Sequence, residues 1–291
     1  SRRFTLSRYE EDKGDMAEIV LGLAAPHNPN ITSRPESMTD DVKHQVFTSF
    51  GRLRKALSEA SPDTLVVLTS DHLTNFFYHN VPMFCIAVSD TCVGPAYKEI
   101  PELRIPRSTL KVDTILAKGL LHYGIEHEID FSFSEEMILD HAYMVPLSLL
   151  TPHMDLPIVP VHINTYCPPR PTARRCYKLG QQLGNFIRDQ QKGKVAVLAS
   201  GSFSGDIGGP KMGSVDVPFD MQFLDLVKEG KAEELVRRTT PEVLEQAGVA
   251  NELLIYAALL GVVGTLKPSF TDYICGERWS TAATLAVWNP K

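Results

Sequence analysis

AEIVLGLAAPHNPN, residues 17–30, is a near-continuous apolar run that stops at Pro26 and sets His27 directly behind it. A run this short, closed by a turn signal, reads as a buried β-strand. The next stretch, 41–60 (DVKHQVFTSFGRLRKALSEA), repeats apolar residues at helical spacing through Val42, Val46, Phe50, Leu53 and Leu57. A buried strand followed by an amphipathic helix is the unit of α/β architecture.

The alternation continues along the chain. Strand-like runs stand at TLVVLTSD (64–71), MFCIAVSD (83–90), PIVPVHI (157–163) and KVAVLAS (194–200). Between them, helices are predicted near 108–123, from Ser134 with Glu135 and Glu136 in its first turn, and over 171–190. Acidic residues in a first turn suit the positive end of the helix dipole. Residues 217–263 hold three helical patterns, and FTDYICG (270–276) and TAATLAVW (281–288) close the chain as strands. No Gly-, Ser- or Pro-rich linker and no internal repeat divides this order. The expectation is a single α/β domain over 16–291, with a mixed or mostly parallel central sheet flanked by helices. Residues 1–15 lack a consistent apolar period and read as a leader or flexible arm, with an ordered N-terminal extension as the alternative.

Composition narrows the function. With 43% hydrophobic and 22% charged residues the chain is well outside the regime of disorder. Its 29 basic and 35 acidic residues leave a formal charge of -6, which argues against a nucleic-acid partner. The five cysteines form no CxxC pair and are odd in number, as expected of reduced thiols in the cytoplasm. No apolar run is long enough to cross a bilayer, and no signal-peptide pattern opens the chain.

Ligand sites in open α/β sheets gather outside the carboxyl ends of strands. Two of the nine histidines stand there: His27 in AAPHNPN and His72 in SDHLTNF. A carboxylate to join them is found in Glu252, the odd residue at the start of the apolar helix NELLIYAALLGVV. A buried carboxylate needs a cation or a hydrogen-bond partner. Two imidazoles and one carboxylate with open positions form the facial triad of non-haem Fe(II) oxygenases. Alternatively, Glu252 serves the dipole of its own helix and the histidines are satisfied individually. Asp71 and Asn75 flank His72 and are placed to orient it. His162 lies within a strand and reads as packed; His44, His79, His122, His127 and His153 have no second ligand at metal spacing.

Four segments in order, AAPHNPN, TSDH, LDHAYMVPL and GVANELLIYAALLG, resemble the class III extradiol ring-cleavage dioxygenases of the protocatechuate 4,5-dioxygenase β-subunit and gallate dioxygenase type. The resemblance runs over the whole chain after Met16. It implies Fe(II) held by His27, His72 and Glu252, with His141 in the LDHAYMVPL segment beside the substrate as a non-ligand histidine. It also implies O2 and a small aromatic diol or aminophenol as substrates, and a homo-oligomer, with or without a small companion subunit.

One departure stands out. The family carries a second non-ligand histidine in a segment of the form G-[ST]-G-G-x-S-H, whereas residues 199–206 read ASGSFSGD, with Gly205 at the histidine's place. Glycine cannot transfer a proton. Asp206, His141 and Tyr273 are the candidates to take over that work, Asp206 first. Three readings stay open: ring cleavage of a vicinal diol, an Fe(II) oxygenase reaction of altered type, or a scaffold subunit. The glycine-rich stretch 205–213 matches no phosphate loop and reads as a mobile loop at the mouth of the site.

Overall fold

The computed structural model describes residues 18–190, 193–207, 212–248, 252–276 and 281–290. Residues 1–15, read above as a leader, and 208–211 of the glycine-rich stretch lie outside them.

Among the described residues ten strands form in chain order: β1 (Glu18–Ala25), β2 (Thr64–Thr69), β3 (Phe84–Ala87), β4 (Thr91–Gly94), β5 (Ser108–Lys111), β6 (Ser132–Ser134), β7 (Ile158–Ile163), β8 (Lys194–Ser200), β9 (Phe270–Ile274) and β10 (Ala283–Trp288). Eight of them make one sheet in the order β6-β3-β7-β2-β8-β1-β10-β9, and β4 with β5 makes a small second sheet. The central four, β7, β2, β8 and β1, are mutually parallel, while β10 runs antiparallel to β1 and β3 antiparallel to β7. This is the expected single α/β domain with a mostly parallel sheet. The register pairs Ala25 with Ser200 and Thr69 with His162, so the segments leaving these strands emerge side by side at one edge.

The helix Asp40–Ala60 turns Val46, Phe50, Leu53 and Leu57 onto the core, as its period predicts, and Thr39 caps its start by accepting the Val42 N–H. The helix Leu253–Val263 is buried along its entire length, a position that only an almost wholly apolar sequence tolerates. It lies against the helix Ala173–Gln190 at Gly180 and Gly261, where a β-carbon on Gly180 would sit 1.8 Å from the Ala258 carbonyl oxygen. Close backbone approach of this kind leaves room for glycine alone. That crossing sets where the helix begins, and so where Glu252 stands.

Two helix boundaries differ from the sequence expectation. Ser134 ends β6 instead of opening a helix; its hydroxyl accepts the Glu136 N–H, and the Ile138 N–H goes to the Asn75 side chain. The helix starts seven residues later as His141–Leu150, where Asp140 accepts the Ala142 N–H as N-cap. Likewise, 108–111 pair as β5 with β4, and the helix Thr114–Glu126 begins behind its own cap, Asp113. In both places a side chain that satisfies free backbone N–H groups outweighs periodicity.

Candidate metal centre

The carboxyl ends of β1, β2 and β8 deliver His27, His72 and the turn Gly201–Ser202 to one spot. Glu252 arrives as the N-cap residue of the helix Leu253–Val263, and His141 as the first residue of its own helix. Glu252 Oε1 lies 3.0 Å from His27 Nε2 and 3.9 Å from His72 Nε2. The three residues proposed from sequence as metal ligands are therefore neighbours in space. Nitrogens of His27, His72 and His141 also lie within 4.8 Å of one another, so a three-histidine donor set overlaps the first.

The hydrogen bonds around His27 decide what this spot needs. Ser200 Oγ donates to the Ala142 carbonyl at 2.6 Å, so toward His27 Nδ1, 3.0 Å away, it acts as acceptor. That assigns the Nδ1 proton and, in the neutral ring, leaves a lone pair on Nε2. This lone pair faces the Glu252 carboxylate, itself an acceptor and buried. Two acceptors at 3.0 Å require a proton or a cation between them, and the N, N, O donor set with an open side suits a divalent transition metal. The residues present fit such an ion.

Supports behind the donors hold their geometry. Asp140 Oδ2 accepts the His72 N–H at 2.7 Å and lies 3.3 Å from His72 Nδ1, poorly aligned for a hydrogen bond but well placed as an ion pair. Asp71 shapes the following turn by accepting the N–H groups of Thr74, Asn75 and Phe76, and its own N–H goes to His162 Nδ1. Asp71 and Asn75 thus act on His72 through the backbone. Glu252 Oε2 takes the Ser202 N–H at 2.5 Å, and a β-carbon on Gly201 would crowd that carboxylate oxygen at 3.0 Å.

Charge follows this arrangement. Burial disfavours a charged His72, yet Asp140 beside it, with Glu252 and Asp71, outweighs burial and carries its pKa up to about 9. Burial also opposes charge on Asp140, but His72 and His141 hold it well below the usual carboxylate range. Glu252 is likewise held below its ordinary value by His27 and His72 against the cost of burial. Burial and the neighbouring His72 push His141 down.

Beside these residues opens a cavity of about 280 Å³, lined by the four site residues with Asn28, Pro29, Leu73, Thr165, Tyr166, Ser202, Ile207 and Thr281. A larger groove of about 650 Å³ lies at the opposite edge of the sheet, near Glu18 and Lys194, and has no histidine or cysteine in its lining. Residues 21–284 match the family described as LigB, the catalytic subunit of aromatic ring-opening dioxygenase. The chain belongs to the LigB family. Similar curated proteins are 2,3-dihydroxyphenylpropionate/2,3-dihydroxicinnamic acid 1,2-dioxygenases. That of Photorhabdus laumondii is 32% identical over 196 residues, 66% of this chain and 58% of the relative. That of Klebsiella pneumoniae strain 342 is 31% identical over 186 residues, 64% of this chain and 57% of the relative. The chain thus spans less than two thirds of the length of these relatives. The solved structure of the uncharacterized protein JW3007 from Escherichia coli K12 shares the fold, with a TM-score of 0.53 at 16% identity over 91% of this chain and 99% of that one.

Within this LigB-family site, the residues considered for the missing histidine's work are spread apart. Gly205 is buried, donates its N–H to Ala247 and bridges to Thr281. Asp206 is buried but is not part of the cavity lining, where its neighbour Ile207 stands instead. Tyr273 donates to the buried Asp220 at 2.6 Å, also away from that lining. His162 is packed within β7, and burial brings its pKa down to about 4. Of the candidates, His141 alone lines the cavity. Sequence reading missed Glu99, whose Oε1 lies 2.7 Å from His141 Nδ1. Forty-two residues separate the two, and no local pattern marks the pairing. It also passed over Ser200, whose place at the end of the run KVAVLAS was the available signal.

Proposed function

We propose that this chain is a cytoplasmic non-haem Fe(II)-dependent dioxygenase that opens an aromatic ring carrying a vicinal diol, or an aminophenol, with O2. The observation that carries this reading is the convergence of two imidazole Nε2 atoms on the Glu252 carboxylate at the wall of a cavity of substrate size. Fe(II) bound there would supply the Lewis-acid and redox chemistry that lets O2 react with the diol. His27, His72 and Glu252 would hold the ion, with Ser200 fixing the His27 ring and Asp140 the backbone of His72. His141 takes a proton from the substrate hydroxyl at its cavity-facing nitrogen and returns it later. Leu73, Tyr166 and Ile207 exclude water and flank the ring, while Asn28, Thr165, Ser202 and Thr281 offer hydrogen bonds to its polar substituents. The family membership supports the reading, and the relatives' named activity on a dihydroxyphenyl acid agrees with a diol substrate. A homo-oligomer, with or without a small companion subunit, completes the proposal.

Gly205 favours a second reading, an Fe(II) oxygenase of altered reaction type on a substrate that needs no second proton relay. A scaffold role has less support, since a subunit kept only for assembly has no need to bring His27, His72 and Glu252 together. Anaerobic reconstitution with Fe(II), followed by O2 uptake and product analysis over catechols, gallates and aminophenols, tests all three. Ring-opened product with stoichiometric O2 uptake is expected. Uptake without ring opening would establish the altered reaction, and a loaded protein inert to every substrate would leave the scaffold.

A further inference from the structure

We propose that Glu99 is the positioning residue of His141, fixing its ring so that Nδ1 carries the proton and Nε2 presents its lone pair to the cavity; this rests on the ring-opening reading of the site.

The pairing is short and exclusive. His141 Nδ1 and Glu99 Oε1 are 2.7 Å apart, a length typical of charge-assisted hydrogen bonds. Both side chains are largely withdrawn from solvent, 16% and 14% exposed. Glu99 Oε2 has no hydrogen-bond partner among the described residues. A carboxylate withdrawn from water with a single partner is a poor device for stability. Its geometry therefore points to the histidine it holds.

The element that carries Glu99 is tied to both sides of the cavity. Tyr97–Glu99 is a single 3-10 turn, closed by the Glu99 N–H to the Ala96 carbonyl at 2.9 Å. Lys98, the preceding residue, donates to the carbonyl of Leu73 at 2.9 Å. Leu73 directly follows His72, has a positive φ of 55° and lines the cavity. Adjacent side chains of one turn thus reach the loop bearing His72 and the ring of His141.

A carboxylate can only accept, so the ring nitrogen facing it carries hydrogen. Nε2 is then the basic atom. When the substrate O–H breaks, the proton forms Nε2–H and the electron pair stays on the substrate oxygen; Glu99 faces the resulting imidazolium, and the same proton is available for return. With glycine at 205, the cavity has one non-ligand histidine among its lining residues, and its tautomer is decisive. The logic is that of a carboxylate orienting a catalytic imidazole.

The test uses the full chain in two arms. Long-range proton–nitrogen NMR of histidine-labelled, metal-free protein at fixed pH should show His141 as the Nδ1–H tautomer in the parent and in Glu99→Gln, whose amide oxygen still accepts. Glu99→Ala should lose that assignment. In the Fe(II)-loaded enzyme, Glu99→Ala should lower kcat about 10- to 100-fold while KM and iron content stay within about twofold, with Glu99→Gln recovering most of the loss. An Nε2–H tautomer in the parent, an unchanged spectrum in Glu99→Ala, or equal impairment of Ala and Gln variants with a lowered Tm would overturn the inference. If the parent opens no ring at all, the functional reading fails while the NMR arm still decides whether Glu99 sets the tautomer.

Discussion

Asp140 Oδ2 accepts the backbone N–H of His72 at 2.7 Å while Oδ1 of the same carboxylate accepts the N–H of Ala142. One buried side chain therefore fixes the loop of a candidate ligand and the first turn of the helix that begins with His141. It also sets the charge on His72 when no ion is bound.

The pKa of His72 stands raised from 6.5 to about 9, so below about 9 a metal must displace a proton from its ring. Metal affinity should climb by about tenfold per pH unit for this one proton as pH rises toward that value. The fold responds with the opposite sign. A charged His72 stabilises the metal-free chain fully below its ordinary pKa of 6.5, and that contribution fades as pH rises through about 9. Titration calorimetry in buffers of different ionisation enthalpy reads the released proton, and Asp140→Asn should flatten the dependence while weakening binding about 10- to 100-fold. Affinity independent of pH in the parent would refute this account.

Two overlapping donor sets meet at this centre, and metal content separates them. Glu252→Gln should lower Fe(II) affinity by more than about 100-fold, because it replaces an anionic ligand with a neutral one. His141→Ala should keep iron near stoichiometric and lower turnover by about 100-fold or more, as expected for a proton-transfer residue. The reverse pattern in iron analysis would make the three histidines the ligand set.

Gly201 offers a quieter test of the same centre. A β-carbon there would lie 2.8 Å from the Glu252 β-carbon and 3.0 Å from Oε2. Gly201→Ala should therefore displace the carboxylate, reduce iron affinity by about tenfold and cost about 1–3 kcal/mol by overpacking. Unaltered metal binding, measured by competition with a chelating dye, would show that the carboxylate can shift without loss.

Gly205 bears on substrate choice. A positioned base contributes about 100- to 10,000-fold in such proton transfers, so without the second histidine, kcat/KM should rise with the acidity of the catechol and with pH. A Gly205→His variant should flatten both dependences. Rates flat across a graded series and unmoved by the variant would mean that another group already acts, with His141, the one candidate that lines the cavity, the first to replace.

AEIVLGLAAP and TLVVLTSD by themselves determine buried strands, and with them the strand-end positions of His27 and His72, because apolar run length and its closing turn signal are local properties of the chain. The helix Asp40–Ala60 and the buried helix Leu253–Val263 are legible for the same reason. Glu252 is visible as the one charge beside an apolar helix, but its place at the N-cap, facing two imidazoles, depends on the Gly180–Gly261 crossing. Tertiary structure alone decided the pairs Glu99–His141, Ser200–His27 and Asp140–His72, and the engagement of Tyr273 by Asp220. These join residues 42 to 173 positions apart, with Tyr273 and Asp220 53 apart. Periodicity repeats over two to four residues and is blind at that range; sheet order and helix approach bring such groups together.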